Sequence, residues 1–337
     1  MAAYDAETGE KQWKFYTVPL PGDPGSETWG TWTPAGGGTW TTGSYDPDLD
    51  ILYWASDDPG PSYNGDIRPG DNLWTNTIFA LNPDTGERLW YFQVIPHGVW
   101  DYDAIGDLVL VDLEINGEQR KVVYQANRGG YFVVLDRQTG EFLHGAPYIY
   151  LNWSSGLDAN GRPVIVEDKI PTAGRGAVKV SPNIGGGKNW PPTTYSPRTG
   201  YAYFYATEGS ALLSPPKLIY ENGKAIWRNG TRLDRFEAEA YSKFMAVDVR
   251  TAETVWEYLP DGSIYAGVMS TAGGLVFIGD GSGRLLAFHE ETGDILWHFQ
   301  TGGRISASPV TYAVNGTQYV AVASGHNMMY AFKLMRD

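Results

Sequence analysis

Near its C-terminal end the chain alternates short apolar runs with turn-forming clusters. Leu275-Val276-Phe277-Ile278 lies between Gly274 and Gly279, a glycine-rich turn leads to Arg284-Leu285-Leu286-Ala287-Phe288, and an acidic turn leads to Ile295-Leu296-Trp297-His298-Phe299. Runs of this length bounded by turn residues predict strands, and their order predicts an antiparallel meander. Gly279-x-Gly281-x-Gly283 links two such strands and opens no helix, so it reads as a hairpin turn and not as a nucleotide-binding loop.

The same phrase recurs along the chain: an apolar strand, an acidic turn, Thr-Gly, then a large aromatic. It runs from Ala3 through Asp5, Thr8 and Gly9 to Trp13, and from Ala80 through Asn82, Thr85 and Gly86 to Trp90. A third copy starts at Val134 and passes Asp136, Thr139 and Gly140, with Phe142 taken for the Trp place. A fourth, Ala246 to Trp256, carries Ala252 in place of the glycine, and a fifth runs from Ala287 through Thr292 and Gly293 to Trp297. Glycine supplies the positive φ that a tight connection needs, while Asp and Thr side chains bond the turn amides. A large planar residue at a fixed offset fills the space between neighbouring sheets. The expected fold is all-β: a β-propeller of four-stranded antiparallel blades, with residues 1–337 as one propeller domain. Trp13, Trp90, Phe142, Trp256 and Trp297 are expected between blades. The stretches from Trp54 to Asn76 and from Trp153 to Trp190 exceed ordinary hairpin loops, and loops of that length usually carry function.

Composition agrees with this picture. The 42 Gly and 21 Pro suit many tight turns, and the 22 Tyr and 13 Trp suit aromatic layers between sheets. A formal charge of −14 argues against a nucleic-acid partner, since phosphate binding draws on Lys and Arg. The acidic surface serves solubility, and it would also steer a small basic electron carrier. No window holds eighteen consecutive apolar residues, and Met1 to Glu10 has neither the basic nor the apolar region of a signal peptide. With no cysteine, disulfides, thiolate zinc sites and a Cys nucleophile are excluded within these residues, and without Cys-x-x-Cys-His no fused c-type haem is expected.

Five further segments, interleaved with the repeats, resemble the quinoprotein alcohol dehydrogenases, the family of methanol and ethanol dehydrogenases with eight-bladed propellers. They are Gly36-Gly37-Gly38-Thr39-Trp40, Arg68-Pro69-Gly70-Asp71-Asn72, Pro96-His97-Gly98-Val99-Trp100-Asp101-Tyr102-Asp103, Ala126-Asn127-Arg128-Gly129-Gly130 and Gly187-Lys188-Asn189-Trp190. The resemblance covers essentially the whole chain and implies about five blades of an eight-bladed ring. It also implies oxidation of a primary alcohol by pyrroloquinoline quinone (PQQ) held with a calcium or lanthanide ion, and electron transfer to a separate acceptor such as a c-type cytochrome. On this resemblance Trp40 is the floor under the quinone, Arg128 bonds the quinone oxygens, and Asn189 and Trp190 lie beside it. Asp101 becomes the general base, since alcohol oxidation requires an acceptor for the hydroxyl proton.

For the metal, the resemblance implies Asp58, Asp101 and Asp103 as oxygen ligands. Asp58 stands where the family has Asn, and Asp103 matches the extra aspartate of lanthanide-using relatives. The family's remaining Glu ligand has no counterpart here, so the chain is expected to be N-terminally incomplete and poorly active by itself. Periplasmic location is likewise an expectation from the family. Two other readings stand beside this one: a non-catalytic propeller scaffold, and an inactive remnant of the dehydrogenase.

Overall fold

The computed structural model describes residues 1–31, 34–172, 174–215, 218–221, 224–227, 233–236, 240–325 and 327–334, with backbone alone for those between 216 and 239. Apart from two short 3-10 turns, Ser26–Trp29 and Glu167–Lys169, its regular elements are strands. The chain forms two compact units, residues 1–189 with 208–240, and residues 190–207 with 241–337.

In the first unit, a hairpin of Ala2–Tyr4 and Lys11–Lys14 precedes two four-stranded antiparallel sheets in up-and-down order. The first of these is Ser44–Asp46, Ile51–Ala55, Thr77–Leu81 and Arg88–Gln93; the second is Val109–Ile115, Glu118–Ala126, Tyr131–Asp136 and Phe142–Pro147. The long excursion that follows builds a hairpin, Ser154–Leu157 with Pro163–Ile165, and a three-stranded sheet of Val178–Val180, Ala211–Leu213 and Leu233–Phe236. The second unit holds two more four-stranded sheets. One is Thr194–Ser196, Tyr201–Glu208, Tyr241–Asp248 and Thr254–Tyr258; the other is Val268–Ser270, Leu275–Gly279, Arg284–His289 and Ile295–Gln300. A three-stranded sheet, Val310–Val314, Thr317–Ser324 and Met328–Lys333, closes the unit. Among the described residues, four sheets thus have the expected four strands, and two have three.

The recurring phrase folds as a hairpin wherever it occurs. In the first copy Asp5 Oδ1 accepts the amides of Glu7 and Thr8, and Thr8 Oγ1 accepts that of Glu10; Asp136 and Thr139 repeat the pattern. In the fourth copy Ala252 takes φ 60°, the left-handed conformation for which the other copies use glycine. Each Trp pairs across the hairpin with an alanine: Ala3 with Trp13, Ala80 with Trp90, Ala246 with Trp256 and Ala287 with Trp297. The small partner leaves room for the indole.

Three of these indoles dock on the next sheet in one way. Trp13, Trp90 and Trp256 donate Nε1–H to the carbonyls of Pro83, Arg137 and Glu290, at 2.7, 3.2 and 3.0 Å. Their rings cover Gly86, Gly140 and Gly293, where a Cβ would fall 2.5 to 2.7 Å from ring atoms. Glycine is required there by close approach as well as by φ. In two cases a tyrosine of the same sheet shares the acceptor, Tyr53 on Arg137 O and Tyr203 on Glu290 O.

Two expectations need correction. Phe142 does not occupy the Trp place, because it pairs with Leu135, and the residue opposite Val134 is His144. The register sets the aromatic position three residues after the Glu, which sequence spacing read one pair short. Phe142 instead covers Gly161 in the excursion hairpin. Trp297 is 38% exposed and packs against Phe299 and Phe332, since no Thr-Gly turn covers it among the described residues.

Candidate functional site

The site lies in the first unit, where three segments meet. Glycines let them approach. Gly36 bridges to Pro59, Gly37 N–H donates to Asp58 O, and Asp57 N–H donates to Gly38 O. A Cβ on Gly36 would fall 2.2 Å from the Asp58 carbonyl oxygen. Gly98 plays the same part on the opposite side, for a Cβ there would lie 2.2 Å from Asn76 Nδ2 and 2.6 Å from Asp58 Oδ1.

The segment from Trp100 to Asp103 alternates in character. Trp100 and Tyr102 are fully buried against Trp153, and their polar tips bond the carbonyls of Lys169 and Pro182. Between and after them, Asp101 and Asp103 join Asp58 so that one carboxylate oxygen of each lies within 4.8 Å of the others. Arg128, in the turn between Glu118–Ala126 and Tyr131–Asp136, donates from Nη1 to Asp103 Oδ2 at 2.6 Å. Its Nη2 lies 3.6 Å from Asp101 Oδ2 and bonds Ile184 O.

Electrostatically the cluster is unbalanced. Three carboxylates face one guanidinium, and Asp58 and Asp103 are only 5% and 7% exposed. Burial, followed by the charges of Asp103 and Asp101, pushes the Asp58 carboxyl well above the usual carboxylate range. Burial likewise raises Asp103 to about 6, against the pull of Arg128. Burial alone would lower the Arg128 guanidinium, but Asp103 and Asp101 hold it above its ordinary value. Asn76 Nδ2 donates to Asp58 Oδ1 at 2.6 Å, while Asp58 Oδ2 and Asn76 Oδ1 are buried without a hydrogen-bond partner. Buried oxygens without donors, grouped with surplus negative charge, fit a hard cation bound by oxygen.

The other expected site residues are placed less uniformly. Trp40 ends the glycine segment tethered to Asp57 and Asp58, and the residue is 52% exposed. Asn189 closes its own turn, donating Nδ2–H to Gly185 O, and that turn rests on Arg128 through the bond from Gly187 N–H to Arg128 O. Trp190 belongs to the second unit, where its ring meets Tyr265 edge-on at 6.0 Å.

Sequence reasoning missed Asn76, Tyr63 and Arg68. Tyr63 donates its hydroxyl proton to Asp101 Oδ2 at 2.7 Å. Arg68, fully buried and lowered to about 10 by burial, ties Pro61 O to Gly98 O. The length of the loop from Trp54 to Asn76 was one available signal and the segment Arg68 to Asn72 another, but the first names no residue and the second gave Arg68 no role.

This carboxylate cluster on up-and-down sheets with docked indoles agrees with the comparisons to known proteins. Residues 1–147 and 235–320 match the PQQ family, described as the glucose/ethanol/alcohol dehydrogenase β-propeller domain. The chain belongs to this family, and its fold is a β-propeller. It is 34% identical over 347 residues to the quinoprotein alcohol dehydrogenase PedH of Pseudomonas putida, covering 96% of this chain and 58% of that protein. The crystal structure of quinohemoprotein alcohol dehydrogenase from Comamonas testosteroni superposes with TM-score 0.86 at 31% identity, over 96% of this chain and 52% of that one. A europium-containing methanol dehydrogenase superposes with TM-score 0.84 at 32% identity, over 96% and 61%. The chain therefore spans about half to three-fifths of the length of these relatives.

Proposed function

We propose that the chain carries the cation and cofactor residues of a PQQ-dependent alcohol dehydrogenase that oxidises a primary alcohol to its aldehyde. The observation that carries the proposal is the convergence of Asp58, Asp101 and Asp103 within 4.8 Å beside Arg128. When bound, PQQ supplies the two-electron acceptor and the cation the Lewis acid.

Asp58 and Asp103, with Asp101, would hold the cation. Asp101 would take the proton from the alcohol hydroxyl, being the least buried of the three and so the one reached from solvent. Arg128 pairs with Asp103 at 2.6 Å and lies 3.6 Å from Asp101, and it would offer a fixed positive charge where negative charge develops on the acceptor. Trp40, half exposed, would offer an aromatic surface to a flat ring, and Asn189 is proposed as a further cofactor contact. Electrons would leave to a separate carrier such as a c-type cytochrome, and a periplasmic location follows from this lineage.

A trivalent ion suits this donor set better than a divalent one, because repulsion among three carboxylates in a partly desolvated site falls further with the higher charge. Incubating the protein with PQQ and calcium or lanthanum, and reading tryptophan quenching, quinone absorption and alcohol oxidation with an artificial acceptor, tests the proposal. Lanthanum is expected to support more binding and turnover than calcium. Asp103→Ala should abolish the lanthanum-supported signal while sparing the calcium-supported one, with Asp103→Asn between. Failure to bind quinone with either metal would overturn the function, and equal signals with both would overturn the metal preference.

A further inference from the structure

The role of Asp101 raises a question of geometry: a carboxylate that is both a cation ligand and a proton acceptor must be kept from giving both oxygens to the cation. The structure shows how one oxygen is held. Tyr63 Oη donates to Asp101 Oδ2 at 2.7 Å, and Arg128 Nη2 lies 3.6 Å from the same oxygen. Among the described residues, no donor is assigned to Oδ1.

Both partners are held in costly backbone conformations. Tyr63 has φ 63° and Asp101 φ 66°, left-handed values that non-glycine residues adopt seldom and usually at functional positions. The loop bearing Tyr63 is also anchored to the segment bearing Asp101. Arg68 Nη2 bonds Pro61 O at 3.1 Å and Gly98 O at 2.6 Å, from a fully buried position. Two residues in left-handed conformations, on segments tied together by the one buried arginine Arg68, form a fixed pair and not a chance surface contact.

We propose that Tyr63 is a positioning residue that occupies one oxygen of Asp101, so that Asp101 meets the cation through a single oxygen. This rests on the cation reading above. Carboxylates bind hard cations through one or both oxygens, and a hydrogen bond to one of them opposes the two-oxygen mode.

Terbium, a luminescent trivalent probe, tests the inference on the present chain without cofactor or turnover. Its emission lifetimes in light and heavy water count the water molecules on the ion. Tyr63→Phe and Tyr63→Leu both remove the hydroxyl, the first preserving the ring and the second providing a different packing. Each should free Asp101 Oδ2 and lower the count by about one water relative to the parent, whereas Tyr150→Phe, an exposed tyrosine, should leave it unchanged. An unchanged count in the folded Tyr63 variants would overturn the role of Tyr63 alone. Absence of terbium binding by the parent would overturn the cation reading instead.

Discussion

Two buried arginines nine positions apart each sit between two aspartates, yet they do opposite things. Arg137 donates from Nε to Asp46 at 2.6 Å and from Nη1 to Asp112 and to Val111 O, while Asp46 also accepts the amides of Asp48 and Leu49. Burial would raise the Asp46 carboxyl, but Arg137 and those amides outweigh it and hold it below the usual range. Around Arg128 a third carboxylate enters, Asp58 Oδ2 has no donor, and burial drives Asp58 and Asp103 upward. A saturated ion pair stabilises a sheet interface. An unsaturated one of similar make-up is a place for a ligand, and the difference lies in uncompensated oxygens, not in residue types.

The largest effect that would sharpen this contrast is loss of Arg137. Its carbonyl receives Trp90 and Tyr53, and its guanidinium neutralises the almost fully buried Asp46. Arg137→Ala leaves that carboxylate buried and unpaired, so a loss of about 3–5 kcal/mol is expected in denaturant unfolding of the metal-free protein. Terbium binding by the folded fraction should be unaffected. A loss well under 1 kcal/mol would erase the distinction between the two arginines.

The pH response should separate the clusters by sign. Asp103, raised from 3.8 to about 6, binds its proton more tightly in the folded state. Its contribution is therefore fully present below about pH 4 and is lost as pH rises to about 6, on the order of 2–3 kcal/mol. Asp46 is depressed, so its contribution is present above the ordinary carboxylate value and is lost as pH falls through its lower folded value. Metal-free unfolding measured between pH 3.5 and 7 should thus weaken upward across the Asp103 window, and Asp103→Asn should flatten that slope. A bound trivalent ion should remove it too, because it replaces the proton.

Much of this contrast was legible before the structure, and its limits have physical causes. Turn chemistry is local, so Asp5, Thr8 and Gly9 or Asp136, Thr139 and Gly140 announced their hairpins directly. Asp58, Asp101, Asp103 and Arg128 were found through motifs that resemble a family's, and their separation in sequence gave no distance between them. The bond from Asn76 to Asp58 and that from Tyr63 to Asp101 depend on how a long loop folds back, which periodicity does not encode. Asn189 is identified as a cofactor contact through the family motif alone, and the bond from its side chain to Gly185 O inside its own turn could not be read from that motif. The misreading of Phe142 was a register error: the pairing shifts between Phe142 and His144, which lie opposite the successive residues Leu135 and Val134, and an apolar pattern does not encode such a bulge.

The smallest expected effect probes the docking that the saturated arginine supports. Trp90→Phe removes the indole donor from Arg137 O, but Tyr53 still donates to that oxygen at 2.7 Å, so the carbonyl is not orphaned. The cost should be about 1 kcal/mol, that of one neutral hydrogen bond plus a modest loss of ring area. Trp256→Phe in the second unit should cost a similar amount, because Tyr203 backs Glu290 O in the same manner. Among the described residues no tyrosine bonds Pro83 O, so Trp13→Phe should cost as much or more if the shared acceptor matters. Thermal unfolding of the three single variants decides it. Equal losses for Trp90 and Trp256, with Trp13 no smaller, would make tyrosine sharing a general feature of these interfaces, whereas a Trp90 loss several times that of Trp256 would show that the neighbouring Arg137–Asp46 pair depends on the indole as well.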